Sequence, residues 1–252
     1  METERYLSCL RHDAARLRLV AEGQLDLKVP SCPDWTVADL VRHVSEAYQH
    51  KIQCIRLQEF PRPWPPDLSG EEPIALFDRS LGELLGEFEK GADAPAKTWY
   101  DPDQSVGFWI RRMAQETVIH RVDAELAVAE LTAIPVDLAL DGIDEVLGVF
   151  LGWDSIETIA REGRESWPLL ADTDGAVTVV RADDDHAWSV RPTPDGVQVS
   201  VGASEDPATT ISGDPVDLLL WLWRRADAER LTVTGDSHQV DRLHELMRVA
   251  TQ

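Results

Sequence analysis

Over residues 3–22 the apolar positions Leu7, Leu10, Ala14, Leu17 and Ala21 return every three or four residues, with charged and polar side chains between them. A helix completes a turn in 3.6 residues, so this spacing puts one apolar stripe on one face and predicts an amphipathic helix. Pro30 and Pro33 close the connection that follows. Thr36-Val-Ala-Asp39 has the spacing of a capping box and predicts a second helix opening at Val37. Val37, Leu40, Val41, Val44, Ala47 and Tyr48 form its inward stripe, and His43 lies beside them. Four prolines within residues 60–66 exclude helix and sheet there and predict a loop. A third helix is expected over roughly residues 71–90. The fourth, over about 105–131, carries Trp109, Met113, Glu116, His120 and Ala124 along one stripe. Four amphipathic helices joined in this way imply a bundle, in which ligand sites are built from side chains on facing helices.

Beyond Pro135 the period changes. A helix over about 136–151 is followed by short alternating runs near 176–181, 186–191 and 197–201, with Asp183-Asp-Asp185 and Pro194-Asp-Gly196 as the turns between them. A run at 209–212, a helix over 214–225, a run at 231–234 and a last helix over about 237–249 complete an α+β pattern. The expected organisation is therefore a helical domain over 1–135 and a smaller α+β domain over 136–252. There is no internal repeat, Gly-rich phosphate loop or Gly-x-Ser-x-Gly elbow.

Composition narrows the partners. With 46 acidic against 24 basic residues the net charge is -22, which repels phosphate backbones and anionic lipid surfaces and argues against nucleic acid. The absence of an apolar run of about 18 residues, and of a basic start leading into an apolar core, argues against a membrane partner and a secretory signal. Cys9, Cys32 and Cys54 are an odd count without Cys-x-x-Cys spacing, so neither a disulfide framework nor a cysteine-rich zinc cluster is indicated, and a reducing cytoplasm fits best.

The candidate chemistry lies in Glu116 and His120. An i,i+4 step turns about 40° and rises about 6 Å, so both project from one face toward one point. With His43 from a neighbouring helix they make a His-Glu-His set, which leaves one position of a tetrahedral ion open, as catalytic zinc sites require. The pair alone is common as a solvated polar couple. His50, seven residues after His43, lies about 10 Å along the axis, too far to share the ion; it has two readings, a residue lining the pocket or, as the simpler expectation, one in a surface or capping role. Cys32 is expected to be a packed structural cysteine, and Trp35 a core anchor where the helix begins. Asp123 has two readings, an acceptor that orients His120 or a partner for a nearby arginine. Trp221 and Trp223 alternate around a helix, so one of them at most should be fully buried. His12, His186, His238 and His244 have no partner at ligand spacing and are expected at the surface.

Three stretches together resemble the mycothiol-dependent maleylpyruvate isomerase family. They are Val29-Pro-Ser-Cys-Pro-Asp-Trp-Thr-Val-Ala-Asp-Leu-Val-Arg-His43, Arg112-Met-Ala-Gln-Glu-Thr-Val-Ile-His-Arg-Val-Asp123, and Ile211-Ser-Gly-Asp-Pro-Val-Asp-Leu-Leu-Leu-Trp-Leu-Trp-Arg-Arg225. The resemblance implies a DinB-like metal-binding four-helix bundle followed by a sterol-carrier-like α+β domain, with His43, Glu116 and His120 matching the metal ligands. It also implies a divalent ion, zinc by its redox inertness, and mycothiol as a low-molecular-weight thiol cosubstrate. The expected reaction is isomerisation, or S-transfer, on a small electrophile such as maleylpyruvate. Arg224 or Arg225 is the nearest match to the arginine that helps hold the acidic substrate, although an arginine ending a helix can also simply offset the dipole. The competing class is a non-catalytic protein that binds a metal for stability and a small apolar ligand.

Overall fold

The computed structural model describes residues 1–251, which divide into two compact units, Met1–Ala133 and Ile134–Gln252. In the first unit α1 (Thr3–Ala21) leads into a short hairpin of β1 (Lys28–Val29) and β2 (Cys32–Thr36). Then come α2 (Val37–Leu57), α3 (Pro73–Phe88) and α4 (Val106–Ala127). The hairpin was not anticipated. Pro30 and Pro33 mask its strand pattern, and only two registered pairs, Lys28 with Thr36 and Val29 with Cys32, hold it.

The capping box forms as expected. Thr36 accepts from the Asp39 N–H, and its own N–H donates to Asp39 Oδ2 at 2.8 Å. The next two amides are satisfied by the chain just upstream, with Val37 and Ala38 donating to the carbonyls of Leu27 and Leu25. The start of α2, and with it the angular position of every side chain on it, is thereby fixed.

Helix α1 packs on α4, and α2 packs on both α3 and α4. Leu10, Leu17, Leu40, Val44, Tyr48, Ile52, Leu76, Leu84, Ile110 and Val118 are fully buried among them. Arg121, Asp13 and Glu125 form a charged cluster enclosed with this apolar core. Arg121 lies 3.2 Å from Asp13 and 2.8 Å from Glu125, which also accepts from Arg16 Nε at 2.7 Å. Arg121 further donates to the Thr132 carbonyl at 2.9 Å, tying the end of the unit back to α4.

The second unit begins with α5 (Val136–Glu145), whose last turn widens into a π-helical stretch, Val146–Trp153, before α6 (Asp154–Glu162). The helix therefore runs well past the 151 read from sequence. The apolar run Val-Leu-Gly-Val-Phe-Leu-Gly-Trp hid this, because it carries no helical alternation. The sheet is built from β3 (Thr178–Arg181), β4 (Ala187–Thr193), β5 (Gly196–Val201), β6 (Thr209–Ser212) and β7 (Thr232–Gly235), in the order β5-β4-β3-β6-β7. Only β3 and β6 are parallel. Gly196 closes the β4–β5 turn at φ +125°, and a Cβ there would meet Ile156 at 2.4 Å, so the turn demands glycine. Helix α7 (Pro215–Leu222) packs on α5, while α8 (His238–Ala250) packs on β3 and β6.

Trp221 and Trp223 are both buried, at 3 % and 8 %, contrary to the alternation argument. The helix ends between them: Trp223 is already the cap of α7, so its direction is no longer set by helical phase. His244 is only partly exposed and stacks on Trp221 at 5.5 Å, which moves it from the surface to the edge of the apolar core.

Candidate metal centre

His43 lies in the second turn of α2, and Glu116 and His120 lie one turn apart in α4. The packing of the two helices brings all three together. His43 Nε2 is 3.6 Å from Glu116 Oε1, and His120 Nε2 is 3.2 Å from the same oxygen. The donor atoms of the three residues all fall within 4.8 Å of one another. Around a tetrahedral ion with ligands about 2.1 Å away, donor atoms sit about 3.4 Å apart, so side-chain adjustments of an ångström or so complete the set. The imidazoles of His43 and His120 meet edge to face, with centroids 5.0 Å apart.

Each donor is oriented by a second group. Asp123, fully buried, accepts from His120 Nδ1 at 2.9 Å, which puts the Nδ1 proton on the carboxylate side and turns Nε2 toward Glu116. The other Asp123 oxygen accepts from Ser31 Oγ at 2.5 Å, so the hairpin turn holds the carboxylate in place. The reading of Asp123 as an acceptor that orients His120 is borne out. Arg112 donates to Glu116 Oε2 at 2.5 Å and leaves Oε1 facing the two imidazoles. The Trp35 ring lies 4.8 Å from that of His43, so Trp35, only partly buried, flanks a donor and is not a core anchor.

Glu116 and His120 are strongly coupled electrostatically. Burial alone would raise the Glu116 pKa, but His120, His43 and Arg112 more than offset it and hold the carboxyl well below its ordinary value. Burial likewise opposes charge on His120, yet Glu116 and Asp123 prevail and raise its pKa to about 9. Small molecules can reach the trio, since the side chains of His43 and Glu116 remain 42 % and 18 % exposed.

Sequence reasoning missed two contributors. Arg112 stands four residues before Glu116, a spacing that signals an i,i+4 ion pair. Ser31 carried no local signal, because its contact with Asp123 spans 92 residues. His50 is neither a surface nor a capping residue. Its ring stacks on Phe60 at 6.1 Å and meets Trp64 edge-on at 5.0 Å, while Nδ1 lies 3.5 Å from Cys54 Sγ. Cys32 is only partly buried.

Arg224 and Arg225 follow α7 in the second unit. Arg224 adopts φ 60°, and the bonds from Arg225 N to Leu220 O at 2.7 Å and from Arg224 N to Trp221 O at 2.9 Å make a Schellman ending. The Arg225 guanidinium folds back, donating to the Trp223 carbonyl at 2.7 Å, whereas the Arg224 side chain is exposed.

Residues 8–125 match the family model described as the mycothiol maleylpyruvate isomerase N-terminal domain, and residues 137–242 match that of its C-terminal domain. No curated protein sequence matches significantly. Among solved structures, that of a mycothiol-dependent maleylpyruvate isomerase is similar over 93 % of both chains, with a TM-score of 0.60 and 12 % identity. A histidine-to-alanine mutant of that enzyme gives the same figures, and at such identity the likeness speaks to the fold. Because both domain descriptions match, in order and over nearly the whole length, this chain belongs to the mycothiol-dependent maleylpyruvate isomerase family.

Proposed function

We propose that the chain is a metal- and mycothiol-dependent enzyme of the cytoplasm that isomerises, or transfers sulfur to, a small electrophilic acid of the maleylpyruvate kind. The observation that carries this reading is the convergence of His43, Glu116 and His120 in a member of this family. Two imidazoles and one carboxylate suit zinc and are one ligand short of a closed structural site. When bound, such an ion supplies net positive charge that lowers the pKa of an incoming thiol and stabilises its thiolate.

The protein's own groups do the rest. Asp123 keeps the His120 Nδ1 proton so that Nε2 is the ligand atom, and Arg112 occupies one Glu116 oxygen so that the other is presented singly. The thiol sulfur adds to one carbon of the conjugated cis double bond. Rotation about the resulting single bond and expulsion of the sulfur then give the trans product and return the thiol. No electron leaves the site, so a redox-inert ion suffices. By family resemblance, Arg224 or Arg225 would have the task of holding a carboxylate of the substrate. A planar guanidinium pairs bidentately with a carboxylate.

The test is metal analysis of protein purified without chelator, followed by cobalt substitution and addition of mycothiol or a simple thiol. One equivalent of ion and a thiol-dependent change in the cobalt absorption are expected, with thiol-dependent turnover of maleylpyruvate or a related electrophile. A protein that binds no ion, or whose cobalt spectrum ignores thiols, would overturn the reading.

A further inference from the structure

His43, Ala47 and Lys51 stand four residues apart on α2, so they share one stripe, and all three are partly exposed while Val44, Tyr48 and Ile52 beside them are buried. Eight residues of helix put Lys51 about 12 Å along the axis from His43, and Ala47 between them offers only a methyl group. Facing them on α4, the buried Trp109 and Arg112 precede Glu116 by two turns and one. Lys51 Nζ lies 5.0 Å over the Trp109 ring, so its side chain is directed at the stripe that carries the metal ligands.

Lys51 lacks what a sheltered ammonium normally has. Among the described residues no carboxylate makes a direct ion pair with it, although the chain has 46 of them, and the acid whose charge reaches it is Glu116 on α4. Its polar neighbour is His50 Nδ1, at 3.3 Å. Burial keeps His50 neutral, its pKa lowered to about 4, so that nitrogen accepts from the ammonium. Phe60 and Trp64 fix the His50 ring. Removing a cation from water without a counter-charge costs free energy that a bound anion would recover. The cation is thus held between a tryptophan face and a neutral imidazole, with Glu116 attracting it from the metal-ligand stripe but making no direct ion pair with it.

We propose that Lys51 anchors a carboxylate of the acid that reacts at the His43, Glu116 and His120 centre, so that the exposed stripe from His43 to Lys51 selects small substrates bearing a second acid group. This rests on the metal-and-thiol reading above. Lys51 would hold one end of the acid while its reactive carbons reach the thiol at the centre, which places the intervening part of the molecule beside Ala47.

The experiment uses the full chain loaded with cobalt, wild type and the Lys51→Met and Lys51→Arg variants. Each is titrated with 2-mercaptoethanol, acetate and maleate, by absorption and by calorimetry. A charge-assisted contact of this kind is worth about tenfold or more in affinity. Lys51→Met is expected to keep its ion, its thiol response and its acetate affinity while binding maleate at least about tenfold more weakly, and Lys51→Arg to retain most maleate binding. If the wild type shows no thiol response, the metal-and-thiol reading fails first. If the response is intact but Lys51→Met binds maleate as well as wild type, or loses acetate and maleate equally, the anchor is refuted. A Lys51→Met protein that no longer holds cobalt also overturns it, by showing the lysine to be a support of the metal site.

Discussion

Replacing Asp123 isolates the orienting layer from the donors themselves. Asp123 is fully buried, with one oxygen on His120 Nδ1 at 2.9 Å and the other on Ser31 Oγ at 2.5 Å, so Asp123→Ala removes both contacts and the charge. Asp123→Asn keeps the shape. Its amide oxygen can still accept from the imidazole, and its NH₂ can donate to the hydroxyl, which rotates to receive it. Carboxylates that support a ligating histidine are worth about 10- to 100-fold in metal affinity, or about 1.4–2.7 kcal/mol. The alanine variant should lose an amount in that range and the asparagine variant about tenfold or less, since only the charge is gone. Competition against a chromophoric chelator at fixed pH measures the affinities, with circular dichroism of the metal-free proteins confirming that each is folded. A folded Asp123→Ala protein that binds zinc within about twofold of wild type would refute the assignment, as would an asparagine variant weaker than the alanine one.

Two further outcomes follow from groups away from the ligands. The folded pKa of His50, about 4, lies below the unfolded value of 6.5, so full stability is present above about pH 6.5 and is lost as pH falls toward 4. Because the ring is half-buried, solvent screening trims the effect to about 1 kcal/mol at pH 5. Urea unfolding of wild type and His50→Gln at pH 7 and 5 should show that much less acid sensitivity in the variant, and identical sensitivity would contradict the burial argument. Arg121→Met leaves Asp13 enclosed without its cation and Glu125 with Arg16 alone, and should cost about 3–5 kcal/mol in urea unfolding. A loss under 1 kcal/mol would mean that water reaches those carboxylates.

Helices α1 to α4 were legible because each has a strong apolar stripe or a cap with a sequence signature, as at Thr36 and Asp39. The strands of the second half were legible from alternation bounded by Asp- and Gly-rich turns. Three features were not. The two-residue strand β1 is too short for periodicity to register, and the π-helical stretch of the second unit is uniformly apolar. The burial of both Trp221 and Trp223 depends on a helix end that propensity places only to within a few residues. In the site, spacing alone paired Glu116 with His120, but the convergence of His43 rests on how α2 packs against α4, which local pattern cannot supply. Lys51 was overlooked for the same reason, since a lysine on an amphipathic helix reads as solvated until the ring opposite it is known.

The ribbon formed by β1 and β2 touches both imidazoles by different routes: Ser31 in its turn grips the acid behind His120, and Trp35 near its end lies against His43. Transplanting the centre onto another scaffold would therefore take more than two helices with correctly spaced donors. A graft without residues 28–36 would carry the ligands but leave the acid behind one ring unheld and the other ring free to swing, so this short segment belongs to the minimal portable unit.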